Sequence, residues 1–230
     1  KESQGNALAV ACAVAARATG CPCRMRYDRD DDMVIPGKRH DFRIAYRAGF
    51  DDDGRLKGVS FVQYARCGWA RDLSTPVADR AMLHADNAYH LPAARIESHR
   101  LRTNTQSATA FRGFGGPQGM VGIERVIDEV AHRLGLDPAE VRRRNYYAAC
   151  DAATASPAGA TDAGAEDPGQ KTEQTTPYGQ PVEDFILHEM TDALMRGADY
   201  AARRDAVAAW NARGGVIRKG LAMTPVKFGI

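Results

Sequence analysis

The spacing of apolar residues changes several times along the chain, and each change predicts an element. Residues 2–19 are Ala-rich with apolar positions throughout, which predicts a mostly buried helix that Gly20 closes as its C-terminal cap. Phe42, Ile44, Tyr46, Ala48 and Phe50 then recur at every second position, with Arg43 and Arg47 between them, the period of a half-buried strand. The Asp51–Gly54 turn and the apolar stretch from Leu56 to Tyr64 extend that strand into a hairpin. Further on, Met120, Ile123, Ile127, Val130 and Leu134 form a stripe at helical spacing, introduced by Pro117 and ended by Gly135. Asp137, Pro138 and Glu140 supply the N-cap, first-turn proline and early acid of a second helix running to about Asn145. Its Arg142, Arg143 and Arg144 predict a solvated face and a subunit contact.

Residues 149–175 break the pattern, because Ala, Gly, Thr, Asp and Pro there leave almost no large apolar side chain to offset ordering entropy. That composition predicts a flexible insertion. Two helices are expected at 182–195 and 199–212, and Gly214 and Gly215 break the chain before a strand over 216–223. Strands and helices in mixed order give an α+β class.

A chain of 230 residues with 44% hydrophobic content can bury a sizeable core, as one large or two small domains. Its 31 basic and 29 acidic residues leave a net charge of +2, which lacks the basic field of a nucleic-acid binder. No apolar run approaches the roughly 20 residues that span a bilayer, so neither nucleic acid nor membrane is an expected partner. The five cysteines, with only Cys21 and Cys23 close together, read as free thiols in a reducing, cytoplasmic compartment. His40, His84, His90, His99, His132 and His188 read as core-edge or surface residues, and no protein-ligated metal is expected. The first residue is Lys1 rather than Met, and the chain is read as an internal fragment, expected to be inactive alone.

Candidate chemistry concentrates in residues 103–119, TNTQSATAFRGFGGPQG, where Arg112 stands among Phe111, Phe114 and glycines just ahead of a helix. Glycine permits close backbone approach, and a helix N-terminus offers unpaired donors and partial positive charge to an anion or polar ring. The same loop also reads as a plain turn with Phe111 and Phe114 as core anchors.

The string AFRGFGGPQGM over 110–120 resembles the molybdopterin-contacting loop of the xanthine dehydrogenase family. The opening KESQ, MRYDRDDDM at 25–33, GKRHDF at 37–42 and DLSTPVADRAMLHADNAY at 72–89 are similar to that family in order and spacing, as are 176–184 and 224–230. The resemblance implies the α+β molybdopterin-binding domain of molybdenum hydroxylases, incomplete at both ends. Residues 1–148 would carry the substrate and cofactor loops, 149–175 an insertion, and 176–230 a helical segment leading into the next part of that domain. It implies hydroxylation of xanthine or hypoxanthine with water as oxygen source. It further implies a molybdenum-molybdopterin cofactor, with FAD and [2Fe-2S] clusters on other segments or subunits of an oligomer.

Residue by residue, the resemblance makes Glu2 and Arg80 the catalytic pair that also binds substrate, Phe114 a flat wall against the purine, and Arg112 and Gly113 the cofactor contacts. Taken alone, Glu2 reads equally as a capping charge at a helix start, and Arg80 as half of a surface ion pair. The family's second phenylalanine and its base glutamate would lie beyond Ile230. Two other readings compete: an aldehyde oxidase-type enzyme, which generally replaces the glutamate and arginine by apolar residues, and a catalytically silent scaffold.

Overall fold

The structure, a computed structural model, describes residues 5–148, 174–183 and 185–228. The period-two stretch forms strand β1, Phe42–Phe50, which pairs antiparallel with β2, Leu56–Gly68. The turn between them is tied by Asp51, whose side chain accepts from the Asp53 and Arg55 N–H groups. Strand β2 runs past the predicted hairpin arm and pairs on its other edge, in parallel, with β3, Ala94–Arg102. A parallel pair needs a crossover, and helix α3, Ser74–Leu83, lies within it. The result is an open sheet in the order β1-β2-β3.

Helix α4, Gly116–Leu134, covers this sheet with its predicted stripe. Ile123, Val126, Ile127 and Val130 meet Leu56, Val59 and Phe61 of β2, with Val141 and Tyr146 closing one end. Each fully buried Ile or Val contributes roughly 2 kcal/mol, so this stripe is the main apolar stabilisation of the α4 interface. Gly135 ends the helix in the left-handed conformation, at φ 67°. Helix α5, Pro138–Arg144, starts where predicted, with the Asp137 side chain accepting from the Ala139 N–H.

Four expectations are corrected. Helix α1, Asn6–Thr19, ends at Gly20 as predicted but buries none of its residues, and Val10 and Val14 are each 62% exposed. Its apolar pattern is real, yet nothing among the described residues covers it. The 216–223 segment has no strand, because no sheet edge among the described residues receives it. His40 and His84 are buried rather than peripheral. Burial holds both imidazoles below their usual pKa, outweighing the pull of Asp72 and Asp41 on His40 and the Arg80 carbonyl bond on His84.

The fourth correction concerns Arg142, which is 2% exposed rather than solvated. Its guanidinium donates to Glu124 Oε2 at 2.9 Å, to Asp128 Oδ1 at 2.9 Å and to the Pro138 carbonyl at 3.1 Å. Burial alone would lower its pKa, but Tyr89, Glu124 and Asp128 together carry it above the usual arginine value. Arg143 pairs with Asp192, and Arg144 pairs with Glu140 and donates to the Asp53 carbonyl. The arginine run therefore knits α4, α5 and the β1–β2 turn together.

Helix α2, Arg29–Val34, capped by Asp28, was not foreseen. Helices α6, Leu187–Gly197, and α7, Tyr200–Ala212, follow as predicted, α6 beginning later than expected. Of the predicted insertion, 149–173 lies outside the described residues, while Gln174 is held by hydrogen bonds to Ala148 and Val182. No helix among the described residues is long and apolar enough to cross a membrane. Cys12, Cys21, Cys23 and Cys67 are free thiols.

Replacing Arg142 leaves Glu124 facing the interior without its cation, so Arg142→Met should destabilise the α4–α5 unit by about 3–5 kcal/mol. Arg125→Ala, which removes an exposed i,i+4 pair with Glu129, should cost less than about 0.5 kcal/mol. Hydrogen exchange across α4 measures both, and equal effects would contradict the buried-pair account. A second expectation follows from His40, whose Nε2 meets the Ser74 hydroxyl at 2.7 Å. Its folded pKa lies below the unfolded value of about 6.5, so on acidification the unfolded chain gains its proton first. Stability should fall as pH drops below about 6.5, and His40→Gln should flatten that slope in urea titrations at stepped pH.

Candidate active site

The predicted loop is a tight turn at the entrance to α4. Phe114 N–H donates to the Phe111 carbonyl at 2.8 Å and Gly116 N–H to the Gly113 carbonyl at 2.9 Å. Gly113, Phe114 and Gly115 hold φ values of 89°, 49° and 102°. For Phe114 the left-handed conformation costs roughly 1–2 kcal/mol, so the packing around it over-determines the turn.

Two contacts do so. A Cβ on Gly115 would lie 2.0 Å from the Val77 carbonyl, and one on Gly119 would lie 2.2 Å from the Ala81 carbonyl. Helix α4 thus crosses α3 backbone against backbone. Between those contact points on α3 stands Arg80, half-buried, which the crossing brings beside the turn. Its guanidinium carbon lies 6.0 Å from the centre of the Phe114 ring and 5.2 Å from that of Phe228. Offset cation–aromatic contact of this kind is worth about 0.5–2 kcal/mol and leaves the in-plane N–H donors available. Among the described residues Arg80 makes no ion pair, against the surface-pair reading.

Phe228 is a site residue that sequence reasoning missed. It arrives from more than a hundred positions away, packs its ring 5.3 Å from that of His84 and touches Gly116, where an added Cβ would lie 2.8 Å from it. Residues 224–230 resemble the family pattern, but nothing local to them signals a contact with Arg80. His84 Nδ1 lies 2.9 Å from the Arg80 carbonyl. A carbonyl only accepts, so Nδ1 carries the proton and Nε2 keeps its lone pair.

Arg112 is exposed, and among the described residues it forms no ion pair. Its carbonyl accepts from Arg39, whose guanidinium also lies 4.4 Å over the Phe111 ring and reaches Gln118 Oε1 at 3.5 Å. Gln118 in turn donates to the His40 carbonyl at 3.1 Å. Burial holds Arg39 below its usual pKa. Arg39 is the second residue sequence reasoning missed. Phe111 is 39% exposed, under a cation rather than in the core. With the Phe111, Arg112 and Gly113 carbonyls all engaged within the protein, the turn carries an exposed cation and few free acceptors, a donor set suited to an anionic group. Gly113 admits the turn because a side chain there would lie 2.5 Å from Pro117 as well as require a positive φ.

The structure therefore brings Arg80, Phe114, Arg112 and Gly113 together, and Glu2 lies outside the described residues. Among the described residues no three His, Cys, Asp or Glu side chains converge as a metal site.

Comparison with known proteins bears on this geometry. The chain is 36% identical over all 230 residues to xanthine dehydrogenase of Drosophila subobscura, and likewise to xanthine dehydrogenase/oxidase of Gallus gallus. It spans about 15% of the length of each of these curated relatives. Among solved structures, the aldehyde oxidoreductase of Desulfovibrio gigas superposes with a TM-score of 0.64 at 29% identity, over 84% of this chain and 19% of that one. Quinoline 2-oxidoreductase of Pseudomonas putida 86 superposes with a TM-score of 0.65 at 24% identity, over 87% of this chain and 23% of that one, which speaks for the fold alone. Residues 1–146 match the molybdopterin cofactor-binding domain. With that match covering the sheet, the α3–α4 crossing and the Arg112 turn, the chain belongs to the molybdopterin cofactor-binding domain family.

Proposed function

We propose that this chain forms part of a molybdenum hydroxylase that oxidises a purine of the xanthine or hypoxanthine type, and that it supplies the substrate-recognition wall of the site. The observation that carries the reading is Arg80, held between Phe114 and Phe228 with no ion pair among the described residues. An always-charged planar fork beside a flat aromatic face suits a planar heterocycle with ring oxygens. When bound, the molybdenum-molybdopterin group supplies oxygen transfer from water and accepts two electrons, which pass to iron–sulfur and FAD centres on other segments or subunits.

In this reading the chain's own residues bind, orient and stabilise. Phe114 fixes the plane of the ring, and Arg80 donates to a ring carbonyl oxygen and stabilises the negative charge that builds there as the ring carbon is attacked. Glu2 hydrogen-bonds a ring N–H or carbonyl according to its protonation state. Arg112 and the Gly113 backbone hold the cofactor at the turn, with Arg112 giving its exposed charge to an anionic group. An assembly in the cytoplasm, where the free cysteines stay reduced, accords with this chemistry.

An aldehyde-oxidising enzyme is the second reading, supported by the likeness to the Desulfovibrio gigas aldehyde oxidoreductase. The arginine separates the two. In the full-length protein, Arg80→Met should keep molybdenum content unchanged and slow purine oxidation by about a hundredfold, the usual loss for one preorganised donor to developing charge. Oxidation of an aldehyde, which offers no ring oxygen, should change little. Equal losses on both substrates would mean that Arg80 acts on the fold or on the chemical step in general. Conversely, Arg112→Met should weaken cofactor retention by about tenfold or more, as expected for a lost charge-assisted contact, with the fold intact by circular dichroism. Full molybdenum occupancy in that variant would remove Arg112 from the cofactor site.

A further inference from the structure

We infer that Asn87 is a positioning residue for Arg80, acting through the segment 224–228. This rests on the reading that Arg80 faces the substrate. Asn87 is 1% exposed and sits in the left-handed region at φ 46°, in the chain that leaves α3 just after Arg80's helix ends. Its side-chain amide engages the segment from both sides, Nδ2 donating to the Pro225 carbonyl at 2.9 Å and Oδ1 accepting from the Lys227 N–H at 3.0 Å. An amide that binds a carbonyl and the N–H two residues later imitates a neighbouring strand and fixes the direction of the segment.

Two further contacts hold the clamp itself. Asn87 Nδ2 also donates to Glu124 Oε1 at 2.8 Å, which is in turn held by the Tyr89 hydroxyl at 2.6 Å. The preceding residue, Asp86, is 1% exposed and pairs with the Lys227 ammonium. Burial raises the Asp86 pKa more than Lys227 lowers it. Residues 86 and 87 therefore grip the backbone on either side of Val226 and the side chain of Lys227, and the next residue is Phe228. Its ring lies over the Arg80 guanidinium and against His84. The turn that ends Arg80's helix thus also fixes the aromatic face that holds Arg80 in place.

The full-length protein provides the test. Asn87→Asp keeps the shape but can donate neither to the Pro225 carbonyl nor to Glu124, whose carboxylate keeps Tyr89 and Arg142 as donors. Amide exchange over residues 224–228 should speed up by about tenfold, while protection in α4 from Ile123 to Val130 persists. KM for a purine should rise by a similar factor, with kcat changed less and molybdenum content unchanged. Phe228→Leu, which keeps the backbone hydrogen bonds, should reproduce the KM change without the exchange change. In a double-mutant cycle, Arg80→Met should cost less on either background than on the parent.

Unchanged exchange over 224–228, additive costs with Arg80→Met, or loss of α4 protection along with that of the segment would each overturn the assignment. If Asn87→Asp does not fold, Asn87→Ala, which puts no second carboxylate beside Glu124, takes its place in the exchange measurement and in the cycle with Arg80→Met. A parent protein that turns over only aldehydes would sink the purine reading. The exchange result and the cycle, run on that aldehyde, would still decide whether Asn87 positions Arg80.

Discussion

Everything at this site depends on two helices touching without side chains between them. Gly115 and Gly119 let α4 lie directly on the Val77 and Ala81 carbonyls of α3, where any larger residue would collide. Helix axes separated by side chains lie 8–10 Å apart, and at that distance Arg80 and the Arg112 turn would belong to different surfaces. The close crossing also explains why the turn tolerates three consecutive residues at positive φ. The glycines on either side of Phe114 absorb the backbone path, and Phe114 itself accepts the unfavourable conformation because its neighbours are fixed by the helix contact.

A second constraint holds that crossing in register with the sheet. Glu124 lies near the middle of α4 and receives donors from Asn87, Tyr89 and Arg142, which come from the loop after α3 and from α5. A carboxylate largely removed from water is costly unless its lone pairs are satisfied, and here they are. Burial, followed by the nearby Glu124 charge, raises the Tyr89 pKa far above the usual value, so Tyr89 stays a donor at any physiological pH. The apolar stripe of α4 supplies most of the adhesion to β2, whereas Glu124 supplies the register.

Much of this was legible in the chain because it rests on local rules. Alternation in 42–50, the stripe from Met120 to Leu134 and the caps at Gly20, Gly135 and Asp137 all use neighbours within a few residues, and each element forms where those rules put it. The misses are non-local. The parallel pairing of β2 with β3 depends on a crossover, and nothing in 94–102 announces its partner. Arg142 stands in a run of three arginines, and only the positions of Glu124 and Asp128 on another helix decide that it is the buried one. The Ala-rich pattern of 6–19 correctly gave a helix, but burial is a property of what lies against it. At the site, family resemblance pointed to Arg80, Phe114, Arg112 and Gly113, while Arg39 and Phe228 emerge only once the chain is folded.

Arg80 and Arg142 carry the same guanidinium, and their surroundings assign them opposite work. Arg142 is 2% exposed and has donors committed to two carboxylates and a carbonyl, so it presents no open edge to a ligand, and its removal would be felt as lost stability. Arg80 is held by the faces of two aromatic rings, which steady the plane of the group without consuming its N–H donors. Holding a cation by its face while leaving its edge free is what a site needs if a planar oxygen-bearing ring is to meet a preorganised donor. The cost of keeping that charge without a carboxylate among the described residues is limited by partial exposure to water: Arg80 is half-buried, whereas Arg142, with its two carboxylates, is 2% exposed. Burying Arg80 further would demand a counter-ion, and a counter-ion would occupy the donors that the ring contacts leave free.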